Sequence, residues 1–460
     1  MSEQATAQEV REAKKGPIDL FLSLFAEVKP GEGLTSLILM ANVLLLLVAY
    51  YVLKTVREPL ILASGGAQLK AYATAAQALL LIGFVPAYSA LTKRLARMPL
   101  ITATMLFYAG IFVLFWVLAK IGVPYLGFAF FLVLGIFSLS AIAQFWSLAN
   151  DLYTKEQGKR LFAILGIGAS LGAVVGSFVA SRLVEPLGPF PMMIVAALIL
   201  ALCLALSWTA NSREAGRRAK SSEPADEQPI GGKNGFSLIL EDRYLLLIAI
   251  VILLLNLVNT TGELILSERV TQEAAASVPD FAALPKAAKA EIIGKFAGKW
   301  YGEFFTWVNA IGAIAQLFLV SRIFKYLGIR AALFSLPLIA LFTYGMFAFV
   351  PVFALVRAGK IAENSCDYSL YNTTKQALWL PTTREQKYNA KMAIDTFIVR
   401  FGDLVSGLFV GWALKNGVAV EKIAMINIVI IAGWLVMVVL IGRENQKRMA
   451  DDDAPKPSKS

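Results

Sequence analysis

Apolar runs long enough to cross a membrane recur along the whole 460-residue chain, separated by short charged segments. A helix needs about 20 apolar residues to cross a hydrocarbon layer about 30 Å thick. The composition agrees with this pattern, since 57% of the residues are hydrophobic and only 16% are charged. Soluble proteins carry about 25% charged residues, so this fraction is low. About twelve such runs predict that the membrane surrounds the entire fold.

The predicted spans fall into two sets. They cover residues 34–54, 70–91, 99–119, 125–149, 161–184 and 189–209, and then 244–266, 303–324, 330–350, 352–376, 391–414 and 421–441. We therefore expect an all-α polytopic membrane protein with six-helix bundles at 34–210 and 244–441. The polar segments at 1–33, 211–243 and 442–460 are expected to form a cytoplasmic N-terminal segment, a cytoplasmic linker and a disordered cytoplasmic tail.

Two segments outside the spans have helical patterns. Residues 18–28 form a short apolar stretch that predicts a helix lying along the membrane surface. The largest outer loop covers 267–302, and its apolar residues at helical spacing predict one or two amphipathic helices. The alternative for this loop is a disordered insertion.

Basic residues collect in the loops on one side of the predicted spans, which explains the net charge of +11. The positive-inside rule then places both termini in the cytoplasm. No soluble basic domain is present that would bind nucleic acid. The polar N-terminus has no apolar region followed by a cleavage site, so we expect no signal peptide and favour a multi-pass protein of a bacterial inner membrane.

An internal repeat predicts the architecture. Thr154-Lys-Glu-Gln157 follows the fourth span, and Thr383-Arg-Glu-Gln386 follows the tenth. Each motif precedes a basic residue and the fifth helix of its half. Two related six-helix halves with parallel topology are typical of major-facilitator-like carriers.

Enzyme chemistry has little support in the sequence. The chain has no histidine and only two cysteines, Cys203 and Cys366, which lie in separate apolar segments. We find no nucleophile–base pair, metal-ligand cluster or nucleotide loop. We therefore expect no catalytic residues, no bound metal and no cofactor, and a protein that acts as a monomer.

Ionisable and polar side chains within the spans are the candidate substrate site, because they are costly at membrane depth. The candidates lie on the first, seventh, tenth and eleventh spans: Lys54, Arg57, Glu58, Asn259, Glu263, Lys360, Glu363, Asp367, Tyr371, Lys375 and Arg400. Several are three or four residues apart and share a helix face. Two alternatives stay open: structural ion pairs, and snorkelling of the cations to the membrane surface.

Three stretches resemble the ATP/ADP translocase family of plastids and obligate intracellular bacteria. They are YYVLKTVREPLILAS, FWSLANDLYTKEQGKRLFAILGIGASLGAVVGS and YSLYNTTKQALWLPTTREQKYNAKMAID. In the first, Lys54, Arg57 and Glu58 take the places of an Arg, a Lys and an Asp of the family. In the third, Lys375 and Asp395 match the family pattern.

The resemblance covers about residues 40–440 and implies a carrier fold with a nucleotide as substrate. The sequence departs from the family pattern at charged positions. The fourth span has apolar residues near Leu134 in place of an acidic one, and Asn259 takes the place of a Glu. Asp367 replaces a Lys, and Asp403 lies in a segment where the family has G-K-S-G-G. Fewer cations favour a ligand with fewer negative charges.

These observations predict a carrier that moves a nucleotide such as ATP or ADP, or a related small anion, by alternating access in the lipid bilayer. Two alternatives are kept. One is a carrier of the same fold with a non-nucleotide solute. The other is a transport-dead scaffold or receptor that binds a partner through its outer loop or its linker.

Overall fold

The computed structural model describes residues 15–92, 95–218, 234–350, 352–383 and 385–453, which are almost entirely helical and contain no strand. The helices are Pro17–Leu22, Gly33–Thr92, Arg97–Ile121, Leu126–Leu152, Lys155–Leu187, Pro191–Arg218, Gly235–Glu241, Arg243–Ala276, Lys286–Ile314, Val320–Tyr326, Gly328–Phe349, Phe353–Cys366, Asn372–Ala377, Lys391–Ala393, Val399–Lys415 and Val420–Asp453. A 3₁₀ turn covers Phe281–Ala283, and wider π-helical turns cover Ala315–Leu319, Asp367–Tyr371, Gln386–Ala390 and Ile394–Ile398.

Within these described ranges, ten helices are long and apolar enough to cross a membrane. The predicted all-α polytopic class is therefore confirmed. The count of twelve spans stays a prediction. Ten helices are found in the described part instead of twelve because of two segments, which are the helical run Gly33–Thr92 and the tenth predicted span.

The first and second predicted spans lie in one helical run, Gly33–Thr92, which is broken at Gly65 and Gly66. Gly66 has a φ of +67°, a backbone conformation that glycine adopts without the steric cost of a Cβ. The segment 55–69 between the first two predicted spans is thus mostly helix, with a kink at the two glycines.

The tenth predicted span is helical but differs in composition from the others. It consists of Phe353–Cys366, the π-helical turn Asp367–Tyr371 and Asn372–Ala377. Its charged residues keep it outside the set of apolar helices. A buried polar helix of this kind is characteristic of a functional position in a membrane protein.

The segments outside the spans differ from their predictions in extent. The surface helix predicted over 18–28 covers Pro17–Leu22, and the outer loop is largely helical through Lys286–Ile314. Helix Val420–Asp453 continues twelve residues into the tail that was predicted to be disordered from 442. Residues 219–233 of the linker and 454–460 of the tail lie outside the described part.

Contacts divide the chain into two compact units. One contains the described residues within Met1–Val56, Ala90–Pro124 and Val133–Asp226, and the other those within Arg57–Ser89, Tyr125–Leu132 and Glu227–Ser460. The second unit therefore includes the segment that follows the first predicted span and nearly all of the second, from Arg57 to Ser89. The two six-helix halves that the repeat predicts stay a prediction.

The repeated motifs adopt the same local structure. In the first unit, Thr154 and Gln157 form a capping box, and Gln157 Nε2 donates to Glu32 Oε1 at 3.1 Å. In the second unit, Thr383 and Gln386 form the same box, and Gln386 Nε2 donates to Asp242 Oδ2 at 2.8 Å. In both cases the glutamine caps one helix and holds the acidic residue that precedes the first helix of its half.

An arginine completes each contact. Arg160 forms two hydrogen bonds with Glu32, at 3.0 and 3.1 Å. Arg448 reaches Asp242 at 2.6 and 3.2 Å. Burial raises the pKa of Glu32, but hydrogen bonds from Arg160 and Gln157 outweigh it, so this pKa lies below that of an ordinary glutamate. Burial also raises the pKa of Asp242, but the hydrogen bonds from Arg448 outweigh it, so this pKa is lowered as well.

We expect Glu32→Gln and Asp242→Asn each to cost about 1–3 kcal/mol at neutral pH, because a charge-assisted hydrogen bond contributes about that much. A carboxylate with a lowered pKa stabilises the fold fully above its ordinary pKa of about 4. That contribution is lost as the pH falls through the lowered value. Thermal unfolding from pH 7 into the acid range should therefore be flatter for the two variants than for the wild type. Asp280→Asn, at an exposed position, is the control, and parallel profiles for all four proteins would contradict the prediction.

Candidate functional site

The second unit contains a polar cavity of about 270 Å³ between the seventh, tenth and eleventh spans. Its lining is Ile252, Leu255, Asn256, Asn259, Asp367, Asn372, Lys375, Gln376, Trp379, Lys391, Asp395 and Val399. Four of these side chains are amides, two are cations and two are carboxylates. Such a surface offers many hydrogen bonds but no net charge.

Two π-helical turns shape the wall of this cavity. Asp367 lies in the turn Asp367–Tyr371, and Asp395 lies in the turn Ile394–Ile398. A π-helical turn adds a residue to the helix and is often found at functional sites.

Both cations of the cavity are paired with its carboxylates. Lys375 Nζ lies 3.2 Å from Asp367 Oδ1, and Lys391 is paired with Asp395 one turn along its helix. All four side chains are only partly buried. The ammonium groups can therefore exchange a protein carboxylate for an anionic ligand at modest cost.

Three of the predicted site residues lie in the cavity wall, namely Asn259, Asp367 and Lys375. The Oδ1 atom of Asn259 is buried without a hydrogen-bond partner. A buried acceptor of this kind is normally satisfied. Asn259 is thus placed to accept a hydrogen bond from a ligand.

Glu263, Lys360 and Glu363 form a second group, which we call the acidic triad. Lys360 Nζ lies 2.8 Å from Glu363 Oε1 and 3.6 Å from Glu263 Oε1. Lys360 is fully buried and Glu363 is 2% exposed. Asn364 Nδ2 donates to Glu263 Oε1 at 2.8 Å. One ammonium therefore serves two carboxylates in the membrane interior.

Arg57, Glu58 and Lys70 form a third group, the basic triad, in which two cations share one carboxylate. Arg57 is paired with Glu58 and lies over the ring of Phe131. Lys70 Nζ lies 2.7 Å from Glu58 Oε2, so the triad joins the first and second spans across the turn at Gly66. The sequence predicted Arg57 and Glu58 but not Lys70, which lies at the start of a span.

The remaining predicted residues have other surroundings. Tyr371 is fully buried, with its ring edge-on to Trp434 at 5.8 Å between centroids. Arg400 donates to Asp403 at 2.8 Å on the same helix. Lys54 belongs to the other unit, where its ammonium lies 5.2 Å from the centre of the Tyr51 ring.

Several cavity residues were not among the predicted site residues. They are Asn256, Asn372, Gln376, Trp379, Lys391 and Asp395. Asn372, Gln376 and Trp379 follow Asp367 at about one-turn intervals, so the helical repeat already pointed to part of this face. The contribution of Lys391 and Asp395 depends on how the eleventh span packs against the tenth.

A match over residues 125–445 settles the family. Residues 125–445 match the family described as TLC ATP/ADP transporter, which is more than half of the chain. The chain belongs to this family. The predicted resemblance is thereby confirmed, and the protein is a membrane carrier of the ATP/ADP translocase type.

Relatives of known name agree with this assignment. The chain is 23% identical to "ADP,ATP carrier protein 1" of Chlamydia pneumoniae, in a match that covers 68% of each protein. It is 23% identical to "ADP,ATP carrier protein 1, chloroplastic" of Arabidopsis thaliana over 320 residues, 63% of this chain. The chain spans about half of the Arabidopsis protein, since the match covers 49% of that relative.

Solved structures support the fold class. The crystal structure of the nucleoside transporter NupG has a TM-score of 0.63 at 13% identity, covering 89% of this chain and 98% of that one. An auto-inhibited POT family peptide transporter has a TM-score of 0.60 at 11% identity, covering 90% and 97%. These likenesses confirm the major-facilitator-like fold, and at such identities they concern the fold alone.

Proposed function

We propose that this carrier moves adenine nucleotides, with the cavity of the second unit as part of its binding site. The relatives are named as ADP,ATP carriers, and the cavity combines two exchangeable cations with four amides and the ring of Trp379. Lys375 and Lys391 would hold phosphate oxygens. The amides would bind the base and the ribose, whose donors and acceptors suit Asn and Gln side chains.

The observation that carries this proposal is the pairing of the cavity's cations. Asp367 and Asp395 are paired with Lys375 and Lys391, and a phosphate group would replace these carboxylates. Since the lining has no net charge, we propose that the site favours the nucleotide with fewer charges. ADP should therefore bind at least as tightly as ATP.

The transport cycle follows from the fold. In major-facilitator carriers the two halves rock about a site near the bilayer midplane and expose it to one side at a time. We propose that this chain works in this way in a bacterial inner membrane, with both termini in the cytoplasm. The distribution of basic residues between the loops supports the orientation.

A thermal-shift titration of the purified protein with ATP, ADP, AMP, adenosine and phosphate tests the proposed substrate. A ligand at a hundredfold excess over Kd stabilises the folded state by about 2.7 kcal/mol. We expect shifts with ADP and ATP, and a loss of about ten- to a hundredfold in affinity in Lys375→Gln and Lys391→Gln, the value of one charge-assisted hydrogen bond.

The control is Lys415→Gln, which changes an exposed lysine near the end of the eleventh span. It should bind nucleotides like the wild type. Equal shifts with adenosine and ATP would show that the phosphates are not recognised. No shift with any nucleotide would contradict the proposed substrate and favour a carrier of a different solute.

A further inference from the structure

The acidic triad has one carboxylate more than it can neutralise. Lys360 is the ammonium shared by Glu263 and Glu363. The next carboxylate along the tenth span, Asp367, is paired with Lys375 but also interacts electrostatically with Glu363, so it does not relieve the excess. Lys360 and Glu363 are buried, whereas Glu263 is 26% exposed. An excess charge in such a partly buried cluster is unfavourable, and binding one proton removes it.

Glu363 has a free position for that proton. Its Oε1 is bonded to Lys360 at 2.8 Å, while its Oε2 is buried without a hydrogen-bond partner. The side chain lines a small space that it shares with Asn259, Asp367 and Trp434. This space adjoins the substrate cavity, because Asn259 and Asp367 line both.

The charged and titratable groups around Glu363 come from three spans. Lys360 and Asp367 lie on its own span, and Glu263 lies on the seventh. Tyr344 of the ninth span is near enough to interact with both glutamates, and its ring centre lies 5.8 Å from Lys360 Nζ. Among these described neighbours of Glu363, Lys360 carries the positive charge, and Glu263 and Asp367 carry negative charges.

The basic triad lies against the seventh span, at a residue close in sequence to Glu263 of the acidic triad. Lys70 Nζ donates to Ser267 Oγ at 2.6 Å, and Ser267 Oγ in turn donates to the carbonyl oxygen of Glu263 at 2.8 Å. The Tyr301 hydroxyl lies 2.8 Å from the same Ser267 oxygen and interacts electrostatically with Glu58 and Glu263. These hydrogen bonds place the positive charge of Lys70 against the seventh span, one helical turn from Glu263.

We propose that Glu263 and Glu363 share a transported proton, so that the carrier couples substrate movement to proton movement. The coupling rests on the proposed carrier function. When the second span leaves the seventh, Lys70 withdraws and the acidic triad binds a proton. When the span returns, its positive charge expels the proton to the other side. A proton thus enters with the substrate, from the side to which the separated spans are open.

An infrared titration of the purified, substrate-free protein tests the proton site itself. A protonated carboxyl group has a C=O stretch that the carboxylate lacks. The other carboxylates also give this band once they are protonated, so the measurement is made at a pH where exposed carboxylates are still ionised. We expect a band there in the wild type and its loss in both Glu363→Gln and Glu263→Gln, because the proton belongs to the pair. Glu303→Gln is the matched control, since Glu303 is 44% exposed and paired with Arg357. A band at that pH that persists in both triad variants would overturn the proposal.

Proteoliposomes test the coupling. With the outside made acidic, the wild type should accumulate labelled ADP and carry protons inward, as reported by a trapped pH-sensitive dye. Glu363→Gln should lose the acid-driven accumulation and keep exchange of ADP across the membrane, since exchange needs no net proton movement. Glu263→Gln serves the same purpose if Glu363→Gln does not fold.

The outcomes separate the two proposals. Acid-driven accumulation that is unchanged in both triad variants would overturn the proton site. A carboxyl band that depends on Glu363, in a protein that moves no nucleotide, would support the proton site and contradict the proposed substrate.

Discussion

Lys360→Met is expected to destabilise the protein by about 3–5 kcal/mol, the cost of removing one partner of a buried ion pair. Lys360 is fully buried on the tenth span, and the substitution leaves Glu363 with no cation in a region where its exposure is 2%. Methionine fills a similar volume, so the loss of charge rather than a cavity should dominate. Thermal unfolding in detergent measures the effect.

Two control variants isolate the cause. The double variant Lys360→Met/Glu363→Gln should recover much of the lost stability, because the buried carboxylate is then removed together with its partner. Lys295→Met breaks a pair with Glu291 in which both side chains are 65% exposed, and exposed pairs contribute little to stability. A double variant as unstable as Lys360→Met would mean that packing, not charge, explains the loss.

The class of fold could be predicted from the sequence because the membrane imposes it. Every backbone polar group must be satisfied inside the bilayer, so long apolar runs are helices. The repeat of Thr154–Gln157 and Thr383–Gln386 could also be recognised from the sequence. A capping box has a local sequence pattern, and both copies form it with matching distances.

The extents of the polar helices were harder to predict, because composition does not reveal tertiary anchors. The tail looked disordered, yet helix Val420–Asp453 continues through it. Arg448 explains this continuation, since it bonds Asp242 across 206 residues of sequence and lies one turn from Glu444.

The candidate site was predictable only in part. Polar residues at helical spacing identified the tenth span, and Lys360 and Glu363 are indeed paired. The partners of the other charges depend on which helices pack together. Lys70 and Ser267 are 197 residues apart, so no local pattern could join the two triads. The π-helical turn at 367–371 also changes which residues share a face, and it places Lys375 beside Asp367.

Gly407→Ala is expected to prevent the second span from packing against the eleventh. A Cβ at residue 407 would lie 2.6 Å from the carbonyl oxygen of Ala71 and 2.8 Å from the backbone N of Ala75. Both contacts are with backbone, which cannot turn aside as a side chain can. At a helix position with open space, Gly→Ala would stabilise the protein by about 1 kcal/mol. A loss of stability in Gly407→Ala would therefore indicate the steric clash.

Gly433→Ala on the twelfth span is the matched control, because a Cβ there meets no atom within 4 Å. We expect Gly407→Ala and Gly433→Ala to differ in two measurements, which are the transport activity and the maleimide labelling of a reporter cysteine. Ser267→Cys, in a protein whose Cys203 and Cys366 are replaced by alanine, places the reporter at a fully buried position in contact with Lys70. With Gly433→Ala the reporter should stay protected from a membrane-impermeant maleimide and transport should continue. With Gly407→Ala the second span can no longer close over the seventh, so the reporter should become reactive and transport should stop. Protection of the reporter in Gly407→Ala would mean that the helices shift to accommodate the methyl group, and that the close approach of the second span is not required for closure.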